Sequence, residues 1–154
     1  MSFILSIDQG TTGTTAALID SNNLSFIGKV NKEFPQIFPR PSWVEHNLSD
    51  IWHTVEYTVT ELMKLYNITA DQIKCIGITN QRETTCAFDT NGNPLSNAIV
   101  WQDRRTQDFC EQLKQNNYEK SFKNKTGLPI DPYFSGSKMN WLLKNITSVK
   151  EAAS

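Results

Sequence analysis

Apolar positions come first in short runs and later in helically spaced stripes. Phe3 to Ile7 is an apolar run stopped by Asp8-Gln-Gly10, the pattern of a buried strand meeting a turn. Thr14 to Ile19 predicts a second strand, closed by Asp20-Ser-Asn-Asn23, and Leu24 to Val30 a third. Strands this close in sequence form an antiparallel meander, because a parallel crossover needs a dozen or more residues. Residues 34–46 carry three prolines and predict an extended surface loop. A helix then starts at Asn47, the expected N-cap, with Asp50 three residues on. Ile51, Val55, Val59, Leu62 and Tyr66 form its apolar stripe, which Trp52 and Met63 widen. Ile73 to Thr79 predicts a fourth strand buried on both faces. Thr84 to Phe88 predicts another strand, in a hairpin turned by residues 89–94 and returning near Ala98 to Trp101. Helices follow over 104–115, 118–125 and 136–144, with Gly127 and Pro129 ending the second. The order predicts an α/β domain, a mixed sheet flanked by helices.

Composition narrows the setting. At 154 residues the chain holds one domain or a little more, and no repeat or composition shift marks a second complete one. Fifteen basic residues against sixteen acidic ones leave no electrostatic footprint for nucleic acid or an anionic membrane surface. No apolar run approaches the ~20 residues of a membrane span. The chain opens without a basic-then-apolar leader. Cys75, Cys86 and Cys110 have neither zinc-site nor disulfide-framework spacing, and Cys75 and Cys86 lie in apolar runs, so buried reduced thiols are expected. A cytoplasmic setting follows.

Four segments carry candidate chemistry. In Asp8-Gln-Gly-Thr-Thr-Gly13, Gly10 and Gly13 let the backbone approach a phosphate and expose N–H donors, while Thr11 and Thr12 add hydroxyls. Asp8 could hold Mg²⁺ or its water shell. The same residues also suit an ordinary β-turn. Asn80-Gln-Arg-Glu83 ends an apolar strand with polar groups, a place where ligands commonly bind. There Arg82 donates from a planar fork and Glu83 accepts from hydroxyls, which suits a polyol; a solvated loop with a local ion pair is the alternative. Trp101 can lie against the C–H face of a polyol, and Tyr133 offers a loop hydroxyl; core packing is the commoner role of a tryptophan, and loop packing suits Tyr133 at least as well. Neither His46 nor His53 has a nucleophile or ligand set beside it in sequence.

Together these segments resemble the N-terminal lobe of the FGGY carbohydrate kinases, and within that family those acting on glycerol. The resemblance rests on Asp8-Gln-Gly-Thr-Thr12, Pro41-Ser-Trp-Val-Glu-His46, Ile76 to Thr85, Ala98-Ile-Val-Trp-Gln102 with Arg104-Arg-Thr106, and Thr126 to Gly136. It implies a ribonuclease-H-like, actin-like ATPase fold of two lobes around a cleft, with residues 1–154 as the N-terminal domain and the C-terminal lobe absent. It also implies MgATP-dependent phosphorylation of glycerol to sn-glycerol 3-phosphate by a full-length homo-oligomer. Carried over, Arg82, Glu83, Trp101 and Tyr133 would hold glycerol. Thr11, Thr12, Gly13 and Thr15 would contact nucleotide phosphates, and Asp8 would place Mg²⁺. Family members acting on glycerol commonly continue the hairpin with serines and then an arginine, where this chain has Gly13, Thr14 and Thr15, and other sugar kinases of the family also use Gly-Thr there. The family's catalytic base lies beyond the segment matched, so no catalytic residue is expected here and the chain alone is expected to be inactive. A kinase for a pentulose or another polyol, or a non-catalytic binding module, is the alternative.

Overall fold

The apolar alternation of the first twenty residues becomes a hairpin of β1 (Phe3–Gln9) and β2 (Gly13–Asp20), in the computed structural model that describes residues 1–153. β3 (Phe26–Glu33) continues the antiparallel meander, and β5 (Ile73–Asn80) pairs with β1 in parallel, giving the mixed order β3-β2-β1-β5. Helix α1 (Leu48–Leu65) covers one face. Phe3, Leu5 and Ile7 of β1, Ala16 and Leu18 of β2 and Leu62 of α1 are buried together, with Val55, Val59 and Tyr66 of the predicted stripe against them. Burying side chains of this size contributes roughly 1.5–3 kcal/mol each. Beside this apolar layer, the Thr14 and Thr54 hydroxyls meet at 2.8 Å, and Thr54 and Thr58 donate to carbonyls of α1.

These elements form one of two compact units, made of Met1–Pro35 and Ser49–Gln81. The other takes Gln36–Leu48 and the chain from Arg82 onward. In it β4 (Glu45–His46) pairs with β6 (Ala98–Ile99), and the helices are α2 (Gln107–Gln115), α3 (Glu119–Thr126), α4 (Ser135–Asn145) and α5 (Thr147–Ala152). Ile99, Leu142 and Val149 are its buried apolar core. Gly127 ends α3 in the left-handed conformation at φ 75°, as its glycine predicts.

Several expectations change. The third strand starts two residues late, because Asp20 accepts the Leu24 N–H and donates its own to Ser25, with Leu24 at φ 59°. β5 is not buried on both faces: it is an edge strand, with Ile76 56% and Ile78 73% exposed. Cys75 on it and Cys86 are exposed, and only Cys110 is a buried thiol. Trp52 faces outward and does not widen the apolar stripe. The expected strand over 84–88 is reduced to isolated bridges, Thr85 with Ile99 and Phe88 with Pro94, and β6 takes its longer pairing from β4 inside the proline-rich loop. No helix among the described residues is long and apolar enough to cross a membrane.

Gly13 has a packing reason to be glycine. A Cβ there would stand 2.5 Å from the Lys32 carbonyl oxygen and 2.9 Å from the Glu33 Cα, both backbone atoms of β3. Gly13→Ser is therefore expected to destabilise the chain by about 1–3 kcal/mol through forced strand displacement. Chemical denaturation measures this, and an unchanged midpoint would show that β3 yields freely.

Candidate functional site

The hairpin comes first in the chain. Asp8 is exposed at the end of β1, in register with Thr15 of β2 and Thr79 of β5, so one polar row crosses the sheet. Gly10 does not offer its N–H outward as expected: it donates to the Gly13 carbonyl at 2.9 Å and closes the turn. Thr12 is exposed and Thr11 half-buried at the tip. The Thr15 hydroxyl accepts from the Asn31 amide at 2.9 Å, so its first partner is a neighbouring strand. Gln81 at the end of β5 is buried, its N–H bonded to the Gln9 carbonyl at 2.8 Å and its amide to the Gln9 side chain. No cluster of three or more metal-ligating side chains occurs among the described residues. A lone exposed carboxylate beside hydroxyls fits a hydrated Mg²⁺ that arrives with phosphate oxygens, not a closed protein cage.

In the second unit the chain turns sharply at Glu83, whose φ of 64° is uncommon for a residue with a side chain. The turn aims the carboxylate at the first residue of α4: Glu83 Oε2 accepts the Ser135 N–H at 2.8 Å and the Ser135 hydroxyl at 2.7 Å. The Ser135 hydroxyl is the main cause holding the Glu83 carboxyl below the usual range; its N–H and the charges of Lys138 and Arg82 add to it and outweigh burial. Glu83 is thus an anionic acceptor at neutral pH. Arg82 is exposed and, among the described residues, has no hydrogen-bond or ion-pair partner.

Trp101 and Tyr133 are brought together from two further segments. Their rings meet edge to face with centroids 5.8 Å apart, and Tyr133 packs likewise on Phe134 at 5.1 Å. Asp131 joins the segments, since its Oδ1 accepts from Arg104 at 2.8 Å and from the Tyr133 N–H at 2.8 Å. Behind Trp101, Arg105 is almost fully buried. It is paired with Asp103 at 2.8 Å and Glu45 at 2.7 Å, and lies 3.8 Å from the Trp43 ring centroid. Both aspartates in this region are therefore occupied: Asp131 holds Arg104 and Tyr133, and Asp103 holds Arg105 and the Val44 N–H.

Of the residues named from sequence, Trp101 and Tyr133 are in ring contact, and Glu83 is bonded to Ser135, two residues along from Tyr133. Sequence reasoning missed Ser135 and Lys138, for which the only signal was their place at the start of a helix beside Tyr133. His46 is buried against Gln36 at 2.6 Å, and burial pushes its pKa down to about 4, so it stays neutral as a structural group. An apolar cavity of about 520 Å³ has Glu83, Phe109, Cys110, Phe122 and Phe134 in its walls, but neither Trp101 nor Tyr133.

Removing the Ser135 hydroxyl tests the electrostatics. Ser135→Ala is expected to raise the Glu83 pKa toward the ordinary carboxylate value. Because that pKa is depressed on folding, the associated stability is present above the unfolded value and is lost as pH falls through the folded one. Carboxyl-selective NMR titration reads the shift, and an unmoved Glu83 would place the cause elsewhere.

The family model for the N-terminal domain of the FGGY carbohydrate kinases matches residues 3–154. The chain is 53% identical over 152 residues to a glycerol kinase of Rhizobium meliloti and 49% identical to one of Staphylococcus haemolyticus, covering 98% of this chain in each case. It spans about 30% of the length of these curated relatives. Among solved structures, a Plasmodium falciparum glycerol kinase with ADP superposes with a TM-score of 0.90 at 34% identity, covering 98% of this chain and 30% of that one. A xylulose kinase of Lactobacillus acidophilus superposes at 0.88 with 24% identity, covering 99% of this chain and 30% of that one, and shares the fold. The meander, the parallel β5 and the helices are thus those of the ribonuclease-H-like, actin-like ATPase fold, and with residues 3–154 matched by the N-terminal domain, the chain belongs to the FGGY family of carbohydrate kinases.

Proposed function

We propose that residues 1–154 form the N-terminal domain of a longer glycerol kinase and supply its polyol-binding half. The observation that carries this reading is the convergence of Glu83, Trp101 and Tyr133 through the Glu83–Ser135 and Arg104–Asp131 bonds. An ionised Glu83 accepts hydroxyl protons, and the exposed Arg82 donates to hydroxyl oxygens. The Tyr133 hydroxyl adds a third polar contact, and the Trp101 ring covers the carbon skeleton. Identity near 50% to glycerol kinases supports glycerol over a ketose.

Thr11 and Thr12 at the hairpin tip, with the backbone at Gly13, are the residues that would meet nucleotide phosphates, and Thr15 stands behind them. Asp8 would hold Mg²⁺ through its water shell, and the ion would neutralise phosphate charge. In the reaction the terminal glycerol oxygen forms a bond to the γ-phosphorus of ATP. The bond to the ADP oxygen breaks, and the hydroxyl proton passes to a base. Asp103 and Asp131 are held in ion pairs, which supports a base outside this chain. This half contributes position and charge, which phosphoryl transfer chiefly requires. The reaction belongs to the cytoplasm, where glycerol and MgATP meet.

The chain alone is expected to give no glycerol 3-phosphate from glycerol and MgATP. The complete polypeptide is expected to turn over and to prefer glycerol to pentuloses. In it, Glu83→Gln should raise the glycerol KM by roughly 10–100-fold, the worth of a charged hydrogen bond. Steady turnover by the purified chain would overturn the half-site reading, and preference for a ketose would overturn glycerol.

A further inference from the structure

Lys138 is fully buried in the first turns of α4, an unusual place for an ammonium group. Its Nζ donates to two successive carbonyl oxygens, those of Pro132 at 2.9 Å and Tyr133 at 2.5 Å. The Tyr133 peptide is therefore held at both ends by charge: its N–H by the Asp131 carboxylate, its C=O by the Lys138 ammonium. Two residues along the Tyr133 segment, Ser135 holds Glu83. Both Glu83 and Tyr133 are thus anchored to the start of one helix, from segments fifty residues apart.

The charged and titratable groups facing Lys138 are Glu83, Asp103 and Asp131, with the Cys110 thiol of α2. Burial pushes Lys138 down to about 8, and those groups oppose the shift, so the amine is protonated at neutral pH. Its charge in turn helps keep Glu83 ionised. A buried lysine without such a task would be costly, since a desolvated charge needs partners that repay it.

We infer that Lys138 is a positioning residue for polyol binding, fixing the Tyr133 main chain so that its ring and hydroxyl meet the same ligand as Glu83. This rests on the polyol reading above, and it assigns no contact between Lys138 and the ligand.

Glycerol affinity of the chain, read by NMR titration, tests it with Tyr133→Phe, Lys138→Gln and the double variant. Lys138→Gln is expected to weaken binding about tenfold, and the double variant to lose less than the sum of the two single losses, the non-additivity of residues acting as one unit. Additive losses, or unchanged affinity in Lys138→Gln, would overturn the proposal. A Tyr133→Phe chain as tight as the unmodified one would instead sink the polyol reading, and the proposal with it. Should Lys138→Gln not fold, the unmodified chain still tests the coupling. Its Tyr133 carbonyl and Trp101 indole signals are expected to titrate with the Lys138 ammonium, and their indifference to that ionisation would overturn the proposal.

Discussion

The two hydrogen bonds from Ser135 to the Glu83 carboxylate are the constraint on which the proposed polyol site depends. Glu83 sits at φ 64°, a conformation that costs a residue with a side chain roughly 1–2 kcal/mol. Hydrogen bonds to a charged group contribute about 1.5–3 kcal/mol each, enough to hold the turn. Once held, it puts Glu83 against the start of α4, the same place to which Asp131 and Lys138 fasten Tyr133. The backbone departs from its ordinary range at the residue whose carboxylate is central to the proposed site, and strained backbone commonly clusters at functional positions.

The β1–β2 hairpin, proposed to meet nucleotide phosphates, obeys a different constraint. Its geometry is set by the sheet: Gly10 bonds across the turn, Thr15 is engaged by Asn31, and Gly13 is squeezed by the backbone of β3. Strand packing gives Gly13 a structural reason that needs no ligand. What remains outward at the tip is Thr12, with Asp8 beside the turn at the end of β1. A small, open set of oxygen donors suits a nucleotide that brings its own hydrated cation.

Much of this was legible in the chain because it is local. The alternation at 3–7 and 14–19, the stripe from Ile51 to Tyr66 and the glycine at 127 each write an element within a dozen residues or so. What failed depends on neighbours that sequence does not show. β5 looks doubly buried because its residues are apolar, yet it lies at the edge of the sheet, so Ile76 and Ile78 stay exposed. Residues 84–88 read as a strand by composition, but their pairing is broken into single bridges. The residues of the proposed clamp could be named from their chemistry and from the resemblance, whereas their supports could not. Ser135 lies 52 residues from Glu83, and Asp131 lies 27 from Arg104, and neither separation leaves a periodic trace.

Glycerol titration of the isotopically labelled chain, followed at every amide and at the indole of Trp101, tests the polyol half most directly. Signals of Glu83, Trp101, Tyr133 and Ser135 should move together and saturate at one glycerol concentration, with residues 8–15 unmoved. Saturable shifts confined to the hairpin, or none at any residue of the clamp, would contradict the assignment.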